Sequence, residues 1–374
     1  MKPLREKRDP GPDMIRCLAL FFVSSVHFLT YTGYYDQPMA GKRMLVLTIL
    51  RAFFITCVPL FLMLSGYLMS EKTLSKQYYK RLGKILFPYV VICAVYAVVC
   101  NTFLNTTYSW KDLLFNTLGF SETHYVWYVE MYLGLFLLIP FLNTLYQNLP
   151  SRGWKLALVG SLLAMTALPG VLNVYGLRGL SLWPAQGESG TKLVPAWWKE
   201  FYPITYYFIG CYLKEYGLKL PKWLNLLLIP VAALVLGLFC WWRACGGSFV
   251  WGDWCAYPSL LVVSLSVLIF AFFIGWKHDR FPTLLSKLLA KLSGICFGAY
   301  LASGIYDTIL YPMLNERVTD VSLRFGYYLL MVPTVVVLSL LTSFLVDLLQ
   351  RLLRRLWSGV AKKREKQIPT ANCQ

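Results

Sequence analysis

The sequence predicts an all-α polytopic membrane protein of about ten transmembrane helices, with both termini in the cytoplasm. Of its 374 residues, 57% are hydrophobic and only 14% are charged, whereas soluble domains carry about 25% charged residues. Apolar runs of about 20 residues, the length that crosses a hydrocarbon core, recur along the whole chain. Lys and Arg residues are concentrated in alternate connecting segments, which is the pattern that the positive-inside rule describes.

Ten apolar runs define the predicted spans. They are residues 14–33, 48–69, 84–103, 125–147, 156–175, 201–214, 224–243, 256–276, 293–313 and 325–349. With the N-terminus inside, 25 Lys and Arg residues fall in cytoplasmic segments and 9 in external loops. We therefore expect a basic cytoplasmic N-terminus at 1–12, a ten-helix membrane domain at 13–350 and a basic cytoplasmic tail at 351–374. The first span is long and contains Arg16 and His27, so we expect it to be retained rather than cleaved as a signal peptide.

Charge and cysteine usage argue against two other classes of protein. The net charge of +18 does not indicate nucleic-acid binding, because the basic residues lie in short loops and not on one soluble face. The ten cysteines include no Cys-x-x-Cys pair and are not accompanied by a histidine cluster, so no metal site is predicted. Only Cys245 and Cys255 share an external loop, and a disulfide between them remains an open alternative.

A polar stripe runs along the first span. It consists of Asp13, Arg16, Ser24, His27 and Tyr31, which share one face of a helix. Titratable groups inside a span are costly and by default indicate function. At a rise of 1.5 Å per residue, Arg16 and His27 are separated by about 16 Å along the axis. The stripe must face protein or a cavity, and it is explained either by a catalytic site or by a seam of hydrogen bonds between helices.

Further motifs follow this stripe in a fixed order. The first has the form D-x-x-R-x(10)-H, and the others are found in VPLFLMLSGYLM, YYKRLGKILFPY, HYVWYVEMYLGLFLLIP and GICFGAYLASGI. Their defining residues are Asp13, Arg16, His27, Ser65, Gly66, Tyr67, Arg81, Lys84, Pro88, Trp127, Tyr128, Pro140, Gly298, Tyr300 and Leu301. In this order they resemble acyltransferase family 3, a family of membrane O-acyltransferases, from residue 13 to about 350. One departure is Ser303, where many members carry histidine, so a second catalytic imidazole is not expected at that position.

The resemblance implies transfer of an acyl group, usually acetyl, from cytoplasmic acetyl-CoA to a hydroxyl of a cell-envelope carbohydrate in the bacterial plasma membrane. Imidazole titrates near neutral pH, so His27 is expected to deprotonate the acceptor hydroxyl. Alternatively, His27 accepts the acyl group and passes it on. Ser65 and Tyr67 are expected to orient the base or to stabilise the oxyanion; helix packing and the aromatic belt also explain them.

An acyl-CoA donor carries phosphates, so its site requires cations at the cytoplasmic end. Arg16, Lys80, Arg81 and Lys84 are the candidates, and ordinary positive-inside topology also explains the last three. No metal is expected to take part.

The acceptor is expected to be a carbohydrate or a lipid-linked glycan, met by Arg51, Trp127 and Glu130. Glu130 and Asp307 lie within spans and are expected to serve as counter-ions to Arg16 or Arg51.

A second class of function is transport, in the form of a glycan exporter or flippase without covalent chemistry. It shares the ten-helix body, the buried polar stripe and the aromatic outer loops. However, the sequence shows no Gly- or Pro-broken helices in corresponding halves, which are typical of many transporters. Transport would also need a separate explanation for the R-x(10)-H spacing of the stripe. Membrane lipids are expected partners and nucleic acid is not, while the sequence does not indicate an oligomeric state.

Overall fold

The described part of the chain is helical. The computed structural model describes residues 9–104, 107–121, 125–173, 193–275 and 282–367, with their side chains up to residue 356, and these residues include no strand. The helices are α1 (Gly11–Tyr31), α2 (Gly41–Phe54), α3 (Cys57–Met69), α4 (Lys76–Tyr79), α5 (Gly83–Phe103), α6 (Trp110–Leu118), α7 (Trp127–Gln147), α8 (Arg152–Leu172), α9 (Tyr202–Tyr216), α10 (Lys222–Ala244), α11 (Leu260–Ile274), α12 (Thr283–Arg317), α13 (Val321–Arg324) and α14 (Tyr328–Gln367). The predicted all-α class is confirmed.

Within the described residues, nine helical stretches are long and apolar enough to cross a membrane. One of them, Gly41–Met69, combines α2 and α3. The break between these helices falls at Ile55 and Thr56, because Pro59 has no N–H to donate to the carbonyl four residues earlier. The predicted sixth span, 201–214, corresponds to α9, whose 15 residues are fewer than a full span requires. The multi-pass membrane fold is confirmed, and the orientation of the termini stays a prediction.

Helix α1 lies at the centre of the bundle. It contacts α2, α3, α11, α12 and α14, so that its polar stripe is surrounded by protein. Helices α5, α8 and α10 bury smaller shares of their residues than α1 and α12 do, as expected for helices at the periphery of the bundle. The polar residues of α1 therefore lie among neighbouring helices of the bundle.

Helices α3 and α9 cross with their backbones in contact. A Cβ atom on Gly66 would lie 1.9 Å from the carbonyl oxygen of Tyr207, so only glycine fits there. Beyond the end of α3, Lys214 donates to Glu71 over 2.7 Å. This hydrogen bond holds the pKa of the Glu71 carboxyl below its usual range. Of the Ser65–Gly66 pair, the glycine therefore permits the close packing of α3 against α9.

Helices α12 and α14 also approach closely. A Cβ atom on Gly298 would lie 2.3 Å from Oγ of Ser343, and that hydroxyl donates to the carbonyl oxygen of Ile295 over 2.7 Å. Near its polar end, α14 is tied to the start of α5 because Gln350 donates to the carbonyl oxygen of Gly83 over 3.3 Å. The basic turn of α14 is thereby held against α5 and α12.

The cysteines of the loop between α10 and α11 are not joined. Cys245 and Cys255 are both free thiols, the first exposed and the second buried. Cys245 donates to the carbonyl oxygen of Trp242 and Cys255 to that of Gly252, each over 3.2 Å. The alternative of a disulfide between these two residues is therefore not realised in this structure.

Candidate active site

The polar stripe of α1 faces α12 along its length. At one end, Arg16 donates to the hydroxyl of Ser293. Further along, Nδ1 of His27 lies 2.9 Å from Oδ2 of Asp307. These partners advance along both helices in the same direction, so α1 and α12 run parallel. Two helices with this relation enter the membrane from the same side, which agrees with the predicted orientations of the first and ninth spans.

His27 and Asp307 form a buried pair. The His27 side chain is 12% exposed and that of Asp307 is fully buried. The ring of Tyr125 stacks on the imidazole, with centroids 3.9 Å apart and an angle of 22° between the planes. A carboxylate that accepts from Nδ1–H fixes the tautomer in which Nε2 carries the lone pair. Within the described residues Nε2 makes no hydrogen bond, so this atom is available as a base.

Asp307 differs from its predicted role. We expected it to be a counter-ion to Arg16 or Arg51, yet its hydrogen-bond partner is His27. The register of α12 against α1 decides this, because it places Ser293, and not a carboxylate of α12, beside Arg16. The hydroxyl groups of Tyr125 and Tyr311 lie near the carboxylate as well. Oδ1 of Asp307 makes no hydrogen bond to the described residues, so the contact with Nδ1 of His27 is what positions this carboxylate.

A cavity of about 370 Å³ lies beside the Arg16 end of the stripe. Its polar lining includes Arg16, Ser65, Lys84 and Ser293, and the rest is mainly aliphatic and aromatic. The Arg16 side chain is 26% exposed and lies 3.9 Å from the buried carboxylate of Asp13. An apolar cavity of this size with few polar groups is typical of a site for a small molecule.

A layer of tyrosine rings separates this cavity from His27. Tyr128 and Tyr300 line the cavity, and their rings meet edge to face with centroids 5.3 Å apart. The hydroxyl of Tyr300 donates to the backbone carbonyl of Tyr125, whose ring stacks on His27. His27 itself is not among the residues that line the cavity. The contacts from the cavity wall to the imidazole therefore run through Tyr300 and Tyr125.

The other predicted catalytic residues are placed differently. Ser65 lines the cavity, and its hydroxyl donates to the carbonyl oxygen of Phe61 in its own helix over 2.9 Å. Tyr67 packs edge to face against Phe270, with ring centroids 5.8 Å apart, and is not among the cavity-lining residues. The structure thus brings Ser65 to the cavity and leaves Tyr67 between α3 and α11.

The predicted donor cations also divide into two groups. Arg16 and Lys84 line the cavity, whereas Lys80 and Arg81 are exposed in a short 3-10 turn before α5 and line neither this cavity nor the adjacent one. The adjacent cavity, of about 280 Å³, lies between α5, α12 and α14 and includes Arg351 and Arg354. Sequence reasoning missed these two because a basic tail after a last span is ordinary positive-inside topology.

The predicted acceptor residues do not form one cluster. Arg51 is fully buried, and its guanidinium carbon lies 4.4 Å from the ring centroid of Phe249 and 5.3 Å from that of Trp251. Trp127 is partly exposed and stacks on Tyr257, with centroids 5.9 Å apart. Glu130 is exposed at the surface of the bundle. The other two histidines, at positions 124 and 278, lie outside the described residues.

Comparison with known proteins agrees with this architecture. The model of the acyltransferase domain of acyltransferase family 3 matches residues 9–345, a range that contains both halves of the His27–Asp307 pair and the whole cavity. Neither curated proteins nor solved structures gave a match. The family match confirms the resemblance that the motifs of α1 and α3 indicated. The chain belongs to acyltransferase family 3 and is a membrane acyltransferase.

Proposed function

We propose that this protein transfers an acyl group, with acetyl as the expected one, from cytoplasmic acyl-CoA to a hydroxyl of a cell-envelope carbohydrate, in the bacterial plasma membrane. The observation that carries the proposal is the His27–Asp307 pair, 2.9 Å apart, which Tyr125 and Tyr300 connect to a cavity that Arg16 and Lys84 line. Acyl transfer requires a base and a thioester that meet at the acceptor hydroxyl, and a thioester held in this cavity would approach the imidazole from the side of Tyr300 and Tyr125.

In the direct route, Nε2 of His27 takes the proton of the acceptor hydroxyl while its oxygen attacks the thioester carbonyl. The tetrahedral intermediate collapses, the carbon–sulfur bond breaks, and the imidazolium returns the proton to the departing thiolate. Asp307 stabilises the imidazolium and keeps the ring oriented. In the second route, Nε2 attacks the thioester itself, the carbon–sulfur bond breaks and CoA leaves as the thiolate. The sugar hydroxyl then attacks the acyl-imidazole, the carbon–nitrogen bond breaks, and the hydroxyl proton passes to the thiolate. Both routes need the same tautomer, and we favour the direct one because it asks less of one residue.

The donor is proposed to enter from the cytoplasmic end, where Arg16 and Lys84 line the cavity. About 16 Å separates Arg16 from His27 along the axis of α1, which is comparable to the reach of an extended pantetheine arm. The thioester then arrives at the tyrosine layer formed by Tyr128 and Tyr300.

The acceptor, a polysaccharide or a lipid-linked glycan, is proposed to approach from the opposite end. There the partly exposed ring of Trp127 offers an apolar face to a sugar. Arg51 and Glu130 remain candidate acceptor residues by position on α2 and α7.

The test uses membranes that carry the wild-type protein, His27→Ala or Thr30→Ala, with acetyl-CoA labelled in the acetyl group and mixed envelope glycans. Thr30 lies one turn from His27 and is exposed, with its hydroxyl bonded to its own helix, so it is a matched control. We expect label in glycan with the wild type and with Thr30→Ala, and loss of at least 100-fold in rate with His27→Ala. Equal transfer by His27→Ala at equal expression would refute the mechanism; no transfer by the wild type would refute the proposed donor or acceptor.

A further inference from the structure

A second cavity adjoins the one beside Arg16 and differs from it in character. Its volume is about 280 Å³, and it shares Lys84, Gly294 and Phe297 with the larger cavity. The larger cavity is mainly apolar, whereas the smaller one is lined in addition by the charged residues Arg351 and Arg354 of α14. A molecule that occupied both would have an apolar arm at one end and a strongly anionic group at the other.

The charges of the second cavity are not balanced by protein. Its one carboxylate, Asp347, is paired with Arg351 one turn further along α14. Within the described residues, Lys84 and Arg354 form no ion pair, although both line the cavity. Two cations without a carboxylate partner at the edge of a cavity attract an anionic ligand, and a guanidinium binds phosphate oxygens in two parallel hydrogen bonds.

The backbone holds these cations in place. Helix α14 is fixed against α12 by the close contact at Gly298 and Ser343, and against α5 by the hydrogen bond from Gln350. Asp347, Arg351 and Arg354 are spaced by four and three residues and therefore share one face of α14. Arg355, the next residue, is not among those that line the cavity.

We propose that the second cavity, through Arg354 and Lys84, binds the phosphorylated nucleotide end of the acyl-CoA donor. The pantetheine arm then extends through the larger cavity, where Arg16 and Ser293 meet its polar groups and its thioester reaches the tyrosine layer. The inference rests on the proposed donor and assigns to α14 a binding role that the sequence motifs do not contain. The other source of phosphate at this end of the bundle is the headgroup of an anionic lipid, and the test separates the two.

Binding of CoA and of pantetheine, which lacks the nucleotide, is measured by titration calorimetry on purified protein in nanodiscs of neutral lipid. We expect Arg354→Gln to raise the Kd for CoA about tenfold and to leave the Kd for pantetheine unchanged. Arg354→Lys, which keeps the charge, should recover part of the affinity, and Arg355→Gln should leave both constants unchanged. Because the readout is binding, the inference is testable even if the wild type transfers nothing to glycans.

Three results would overturn the inference. Equal weakening of CoA and pantetheine would place Arg354 at the arm or in the fold, and unchanged CoA affinity would remove it from the donor site. If Arg354→Gln raised the Kd for CoA tenfold in nanodiscs of anionic lipid but not in nanodiscs of neutral lipid, Arg354 would be assigned to a lipid headgroup. A wild-type protein that binds CoA through Arg354 but acylates no glycan would contradict the proposed reaction and leave this inference standing.

Discussion

The two ends of the contact between α1 and α12 are built in opposite ways. At the His27 end, imidazole and carboxylate lie 2.9 Å apart, 12% and 0% exposed, and a tyrosine ring covers them. At the Arg16 end, the guanidinium is 26% exposed, lies 3.9 Å from Asp13 and borders a cavity. The first arrangement holds one geometry, as a base requires. The second leaves the N–H groups of Arg16 accessible to a ligand that binds reversibly.

The largest effect is expected where the geometry is tightest. In Asp307→Asn, the amide donates to Nδ1 and favours the tautomer whose Nε2 carries the proton, which removes the base. We expect kcat to fall by about 10²–10³-fold while the Kd for CoA stays within about twofold, because Asp307 does not line the cavity. Steady-state kinetics and calorimetry on the same preparation measure the two quantities.

The control for Asp307→Asn is Asp253→Asn, which breaks an ion pair with Lys199 in a loop before α11. It should leave kcat unchanged. If Asp307→Asn reduced kcat by less than about fivefold with an intact thermal transition, the carboxylate would not position the imidazole, and the difference between the two ends would lose its functional meaning.

A smaller effect is expected at the open end. Arg16→Ala removes the guanidinium from the cavity, and a hydrogen bond to a charged group is worth about 1.5–3 kcal/mol. We therefore expect the Kd for CoA to rise by tenfold or more, with a smaller change in kcat than in Asp307→Asn. Calorimetry with CoA is the measurement. A CoA affinity equal to that of the wild type would remove Arg16 from the donor site and leave it as part of a packing seam.

Much of this arrangement follows from the sequence. The spacing of Asp13, Arg16 and His27 predicts one helix face, and in the structure Arg16 and His27 both contact α12. The apolar runs predict the spans because their length alone satisfies the membrane. The register between α1 and α12 decides which side chains pair, and His27 and Asp307 lie 280 residues apart in the chain. No local pattern encodes that register. The sequence therefore predicts an arginine, and not His27, as the partner of Asp307.

The second cavity and the close packing of α9 against α3 are not predicted from the sequence, for other physical reasons. Arg351 and Arg354 fit positive-inside topology by themselves, and only the position of α14 against α5 and α12 reveals that they line a cavity. Helix α9 is short, and its burial depends on the contact at Gly66. Both features come from the packing of distant segments, whereas the periodicity of a single segment predicts only which faces are apolar.

The smallest effect on ligand binding is expected at a third charged site, Arg51. Its substitution tests whether an arginine that is buried in a span necessarily contacts the acyl donor. Arg51 is 1% exposed, and its guanidinium is enclosed by the rings of Tyr35, Phe249 and Trp251. Its Nε donates to the hydroxyl of Tyr35 over 3.1 Å, and its Nη2 has no hydrogen-bond partner in the part of the chain that the structure describes.

Arg51→Lys keeps the charge and removes the planar group that stacks on these rings. We expect the stability to fall by about 1–2 kcal/mol, the range for a desolvated cation–π contact, read as a lower midpoint of thermal unfolding in detergent. The Kd for CoA should stay unchanged, in contrast to Arg16→Ala, because Arg51 lines neither of the two cavities. If Arg51→Lys weakened the affinity for CoA and left the unfolding midpoint unchanged, the prediction would be wrong. Arg51, and not only Arg16, would then contribute to binding of the acyl donor.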